Sequence, residues 1–360
     1  MSSVSADLKA AVLAALAQVE DPVLGKDLVQ LDMIKDLEIR DGEVRLRILL
    51  TTPAHPNRDE IEAAARKAIV ALEGVQSVEV TMDADVPEDG RVREAGAPIK
   101  NAIAVGSGKG GVGKTTVAVN LAVALAETGA TVGLLDADVY GPNVPTMLGV
   151  DQMPPPREKK MVPAEAFGVK VMSIAFMVKP GQPLIWRGPM LHSAIRQFIT
   201  DVEWGELDYL IVDLPPGTGD AALSLTQSMP LSGAVIVTLP QNISLEDASR
   251  GLEMFRTMEV PILGVLENMS YLELEDGSRI DVFGTGGGQR LATETGSPFL
   301  GTVPMDPAVR LAGDSGVPVV ISHPDSASAQ ALIHAAKEIA ANVTRAVLER
   351  GGDIQLEIMD

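Results

Sequence analysis

Gly108-Lys109-Gly110-Gly111-Val112-Gly113-Lys114-Thr115-Thr116 follows an apolar run, Ala102–Val105, and leads into a helix-like one, Thr115–Thr128. Its spacing satisfies the phosphate-loop pattern G-x-x-x-x-G-K-[ST]. Through Gly108, Gly110 and Gly113 it also satisfies the dinucleotide pattern G-x-G-x-x-G. Both patterns need glycine, because backbone N–H groups must close on phosphate oxygens at a helix N-terminus. Only a nucleoside-triphosphate site needs Lys114 on the β- and γ-phosphates and Thr115 on magnesium. A second run, Tyr209-Leu210-Ile211-Val212-Asp213, separates the two readings. It reads as a strand ending in the carboxylate that such a site needs for its magnesium shell, usually through water. Asp136, 23 residues after Gly113, stands where a dinucleotide fold would put its ribose-binding acid, and is the one feature favouring that alternative.

Outward from the loop, short apolar runs alternate with longer helical ones. The former are Ala102–Val105, Val132–Leu135, Tyr209–Val212, Ala234–Leu239, Ile262–Leu266 and Phe299–Val303; the latter include Met190–Asp201, Leu245–Met258 and Ala327–Arg350. Continuous rather than alternating apolar runs predict parallel strands covered on both faces, hence an α/β, doubly wound, mostly parallel sheet over residues 101–350. Residues 1–83 read helix, strand, strand, helix, strand. Asp41-Gly42 between two alternating runs, Ile34–Arg40 and Glu43–Leu50, is a hairpin signal. This predicts a small α+β domain, followed by a Pro-, Gly- and charge-rich linker over 84–100. Pro154-Pro155-Pro156 and the basic run Arg157–Lys160 suggest a mobile surface insertion over 151–185, and residues 351–360 form an acidic tail.

Composition narrows the function classes. The chain has 360 residues, 46% hydrophobic and 22% charged, which excludes disordered and fibrous classes and allows about two domains. With 29 basic against 49 acidic residues the net charge is −20, which argues against nucleic acid or an anionic membrane as partner. No apolar run reaches the ~20 residues of a membrane span. Ala10–Ala17 has only Lys9 before it, so no secretory signal is expected and a cytoplasmic protein is. Cysteine is absent.

The run Gly108–Thr116, with Lys109 early in the loop, resembles the deviant Walker A loop of the family that includes MinD, ParA and the nitrogenase iron protein. That resemblance implies a homodimer in which Lys109 reaches the partner's nucleotide. Asp136 and Asp138 then form a switch I acid pair, Asp138 placing the attacking water, and Asp213–Asp220 is switch II. Taken alone, Lys109 is also compatible with a solvated loop lysine. Asp136-Ala137-Asp138-Val139-Tyr140-Gly141-Pro142-Asn143, Glu267-Asn268-Met269-Ser270 and Phe283-Gly284-Thr285-Gly286-Gly287-Gly288 resemble the Mrp/ApbC iron–sulfur carrier ATPases more closely. Asp21-Pro22-Val23 and Thr51-Thr52-Pro53-Ala54 resemble the iron–sulfur-assembly domain often fused ahead of them. On this resemblance ATP and magnesium are the cofactors, held by Gly108–Thr116 and by Thr115, Asp136 and Asp213. Asn268 reads the adenine, with Pro304 and Asp306 near the base, and the clients are iron–sulfur apoproteins or assembly factors. The absence of a guanine-reading N-K-x-D motif agrees with ATP.

The chain departs from the resemblance at its cargo sites. The C-x-x-C pair expected after Glu267–Ser270 is replaced by Tyr271–Ile280, without cysteine, and His55 stands where the N-terminal motif T-T-P-A-C-P has its thiol. Carboxylates and a lone imidazole are poor cluster ligands, so Glu273, Glu275, Asp276 and His55 are weak substitutes, and His55 between Pro53 and Pro56 reads as a polar loop residue. The reading is therefore a slow, dimeric ATPase switch in iron–sulfur assembly, with direct cluster binding in doubt. Two alternatives remain at this point: a MinD/ParA-like positioning ATPase, and a nucleotide-switched adaptor without cluster chemistry.

Overall fold

The computed structural model describes residues 3–96, 98–177, 188–274 and 276–351. Glu275, residues 178–185 of the expected insertion and residues 352–360 of the expected acidic tail lie outside them. The chain forms two compact units, Met1–Pro87 with Ala340–Asp360, and Glu88–Ile339.

In the first unit a three-stranded sheet runs Ile34–Arg40, Glu43–Leu50, Ser77–Ala84. The first pair is antiparallel, and the second is parallel across the helix Arg58–Val70. Val44, Leu46, Ile48 and Leu50 alternate inward along the central strand, so one face is buried while Glu43 and Arg45 stay wet. Val12 and Leu16 of the helix Ser3–Leu16, Ile61 and Ile69 of Arg58–Val70, and Ala341 complete this core. The hairpin turns through Asp41 (φ 50°) and Gly42 (φ 84°), the left-handed pair that the Asp-Gly signal calls for.

The second unit is built on an eight-stranded sheet. Its order is Phe299–Thr302, Ile262–Glu267, Gly233–Thr238, Ile99–Ser107, Leu207–Asp213, Val132–Asp136, Val169–Ser173, Ala164–Ala166. All neighbours are parallel except the edge strand Ala164–Ala166. Val132–Asp136 and Gly233–Thr238 are buried at every position, and Ile99–Ser107 and Leu207–Asp213 at all but their second residue, as their apolar runs require. Helices Lys114–Glu127, Gly188–Thr200, Asp220–Ser228, Asn242–Thr257 and Gly287–Thr295 connect the strands. None of the helices among the described residues is long and apolar enough to cross a membrane.

Two regions differ from the sequence expectation. Within 151–185, residues 164–173 are no surface insertion: Val169, Val171 and Met172 are buried, and their strand extends the main sheet. The signal was hidden because the hairpin turns through Phe167 (φ 49°) and Gly168 (φ 73°), and Phe is a rare occupant of that conformation. Residues 151–160 keep the expected surface character, Pro154, Pro155 and Pro156 standing exposed and Arg157–Lys160 forming a tight exposed turn. Residues 88–100, placed in the linker by composition, carry a short helix, Gly90–Glu94, capped by Asp89 and anchored by buried Val92.

Candidate functional site

The central strand Ile99–Ser107 delivers the chain to the C-terminal edge of the sheet. Gly108–Gly113 turns there into the helix Lys114–Glu127. Gly111 and Gly113 both sit at φ 80°, where a side chain is strained. Space imposes a second demand: a Cβ on Gly108 would lie 2.0 Å from the backbone of Asp247, and one on Gly113 2.3 Å from the amide of Asn268.

Lys114 opens the helix and its Nζ donates to Asp213 Oδ1 at 2.6 Å; Thr115 Oγ1 donates to Asp213 Oδ2 at 2.7 Å. Asp138 Oδ2 is 3.9 Å from the same ammonium. Asp136 is the in-register neighbour of Asp213 across two parallel strands. Its Oδ2 accepts from Ser173 Oγ at 2.8 Å and from the Val144 N–H at 3.3 Å, and its Oδ1 accepts from the Asp138 N–H at 3.3 Å. Asp138 Oδ1 caps the following turn through the N–H groups of Tyr140 and Gly141. Burial, reinforced by the charge of Asp213, pushes Asp136 up to about 7, and burial likewise raises Asp213 against the pull of Lys114. Two buried carboxylates side by side against one ammonium leave negative charge that a divalent cation would neutralise. The donors present, a hydroxyl and carboxylate oxygens, are the hard ligands that magnesium takes.

Lys114, Thr115 and Asp138 border a cavity of about 1050 Å³. Lys109, Gly110, Gly111, Gly113, Lys114, Thr115, Thr116, Asp138, Asn268, Pro304 and Asp306 line it; Gly108, Val112, Asp136 and Asp213 do not, the two acids lying fully buried. Lys109 is half-buried and has no ionic partner among the described residues. Asn268 faces the cavity, but its Nδ2 donates to the Val112 carbonyl at 2.8 Å, clasping the loop from across the sheet. Asp306 caps the helix Pro307–Ser315 through the Ala308 N–H (2.7 Å), and its Oδ2 accepts from Ser328 at 3.0 Å. Sequence reasoning missed Ser173, whose strand it had read as surface, and Tyr140, which stands 78% exposed at the cavity rim.

The cargo positions differ. Glu273 and Asp276 are exposed on the small hairpin of Leu272–Glu273 with Arg279–Ile280. His55 lies in a loop, as the sequence reading has it, but its side chain and that of Asp21 are fully buried, Nε2 and Oδ2 facing each other at 3.2 Å without an in-line hydrogen bond. His55 Nδ1 accepts from the Asn57 N–H at 3.2 Å, and Asp21 Oδ1 holds the N–H groups of Val23 and Leu24. Among the described residues no group of three or more His, Cys, Asp or Glu is disposed to hold a metal ion. With no cysteine in the chain, the residues present do not fit a thiolate-held cluster.

Residues 98–340 match the NUBPL iron-transfer P-loop NTPase family, grouped with ParA. The chain belongs to this family. Residues 9–108 match the iron–sulfur cluster assembly protein family. An "Iron-sulfur cluster carrier protein" of Synechocystis sp. is 53% identical over 348 residues, 94% of this chain and 98% of the relative. A nucleotide-binding protein from Archaeoglobus fulgidus, solved with ADP, is 38% identical with a TM-score of 0.56, over 63% of this chain and 91% of that one. The septum site-determining protein MinD of Pyrococcus horikoshii, solved with Mg-ADP, is 26% identical with a TM-score of 0.52, over 66% and 94%.

Proposed function

We propose that the protein is a homodimeric, ATP-hydrolysing switch of the Mrp/ApbC type that acts in the cytoplasm in iron–sulfur cluster assembly or transfer to apoproteins, and that holds no cluster through thiolates of its own. The observation that carries the nucleotide part is the convergence of Lys114 and Thr115 on Asp213, 2.6 and 2.7 Å away, at the rim of the cavity. Backbone N–H groups of Gly108–Thr116 cradle the phosphates, and Lys114 neutralises the β- and γ-phosphate oxygens. Thr115, with Asp213 and Asp136 through water, holds magnesium, which supplies charge neutralisation of the transferring phosphoryl group. Asp138, carried on the turn that begins at Asp136, orients the attacking water. Lys109, without an ionic partner among the described residues, stabilises the charge that develops on the partner's phosphates. Asn268 holds the loop while facing the base, and Pro304 and Asp306 border the base. The cargo and the apoprotein clients come from the likeness to iron–sulfur carrier proteins.

Phosphate release by the full-length protein with ATP and magnesium tests this. Turnover per protomer that rises with protein concentration is expected, since each site needs the partner's Lys109. Turnover independent of concentration contradicts the dimeric site. ATP binding with no turnover leaves only a nucleotide-gated adaptor.

A further inference from the structure

Three strand ends form one row across the sheet. Asp213 pairs in register with Asp136, and Asp136 pairs in register with Ser173. Asp213 receives two side-chain donors from the phosphate-loop helix, Lys114 and Thr115. On Asp136 the Ser173 hydroxyl is the one side-chain donor among the described residues, at 2.8 Å, whereas the two backbone donors, Asp138 and Val144, are longer at 3.3 Å each. Ser173 is fully buried, and its Oγ accepts the Ala175 N–H at 3.0 Å, so its single proton is directed at the carboxylate rather than free to rotate.

The two backbone bonds give the carboxylate a second task. They tie it to the start and to the far end of the segment 138–144, which carries Asp138 and the exposed Tyr140. Whatever fixes the rotamer of Asp136 therefore also fixes where this segment leaves the sheet. A short hydrogen bond to a charged group is about twice as strong as a neutral one, and outer-shell partners of metal-site ligands commonly set metal affinity.

We infer that Ser173 is a positioning residue for the nucleotide site: its hydroxyl holds the Asp136 carboxylate in the orientation that serves the magnesium shell, and through it the 138–144 segment. This rests on the proposed role of Asp136. Ser173 is not among the residues lining the cavity, and belongs to a strand at the far side of Val132–Asp136 from the phosphate loop.

The test measures equilibrium binding of a fluorescent ATP analogue to the full-length protein with EDTA and across a magnesium titration, for the wild type, Ser173→Ala and the near-isosteric Ser173→Cys. The expected result is unchanged affinity in EDTA and a magnesium midpoint raised about tenfold in Ser173→Ala. A smaller shift is expected for Ser173→Cys, whose thiol is a weaker donor. A magnesium titration like that of the wild type overturns the inference. So does an equal loss with EDTA and with magnesium, which is what a merely structural role produces. Should Ser173→Ala fail to fold, Ser173→Cys alone decides by the same split. A wild type whose binding gains nothing from magnesium would instead overturn the magnesium site itself, leaving the two failures distinct.

Discussion

Two buried acid–base pairs invite comparison, Lys114 with Asp213 in the larger unit and His55 with Asp21 in the smaller. Both join a side chain from a loop or helix start to a carboxylate set by neighbouring backbone, and both are nearly or wholly out of solvent. Their settings differ. Lys114 is one of the walls of a 1050 Å³ cavity, has Asp136 and Asp138 beside its partner, and follows a loop whose Gly110, Gly111 and Gly113 line the same cavity. His55 has no such opening: each of its ring nitrogens meets one group, and Asp21 spends its other oxygen on the Val23 and Leu24 N–H groups. Buried charge at the first site is disposed to meet a ligand; the second pair joins two chain segments, 21–24 and 55–57. A buried acid–base pair stands beside a cavity in one place and is enclosed in the other, and the cavity makes the difference.

Substitutions can break the comparison or sharpen it. The largest effect is expected at Lys109, where Lys109→Ala should lower the rate of hydrolysis on the order of 1000-fold, as for other cations supplied across an interface, and leave ATP binding intact. Unchanged turnover would remove its role in the partner's site. Lys114→Ala should weaken ATP binding on the order of a hundredfold, because it deletes a buried cation and strands Asp213. Calorimetry showing wild-type affinity would contradict the site assignment. His55→Ala should leave both constants alone and cost about 2 kcal/mol of stability, since it strands a buried carboxylate. Loss of ATP turnover without loss of stability would give His55 a function that its burial argues against. The smallest effect is expected from Asp21→Asn, about 1 kcal/mol, because the amide oxygen still accepts from Val23 and Leu24. Thermal melting with and without nucleotide reads both.

How much of this was legible beforehand depends on how local the cause is. The phosphate loop announces itself because its geometry can be met by few residues: glycine where φ is positive or where Asp247 and Asn268 press close, and lysine and a hydroxyl at the helix start. Strands with unbroken apolar runs and the Asp41-Gly42 hairpin were legible for the same reason. The strand Val169–Ser173 was not, because Lys170 interrupts its apolar pattern and its turn passes through Phe167 instead of a residue that favours that conformation. With the strand went Ser173, whose importance comes only from its register against Asp136. The burial of His55 was equally hidden. Flanking prolines suggest a polar loop, which says nothing of burial, and only the distant Asp21 gives the imidazole a reason to be inside.

The missing thiols were plain from composition, and the structure adds that nothing among the described residues replaces them: Glu273 and Asp276 are exposed and His55 is enclosed. The account's central claim is that the chain keeps the family's nucleotide chemistry while lacking a thiolate site for the cargo. Anaerobic incubation of the purified protein with iron, sulfide, ATP and magnesium tests it most directly, recording iron and nucleotide per protomer with the visible absorption spectrum. The account predicts bound nucleotide and no stable cluster. A stable cluster held by the protein without an added thiol would contradict it.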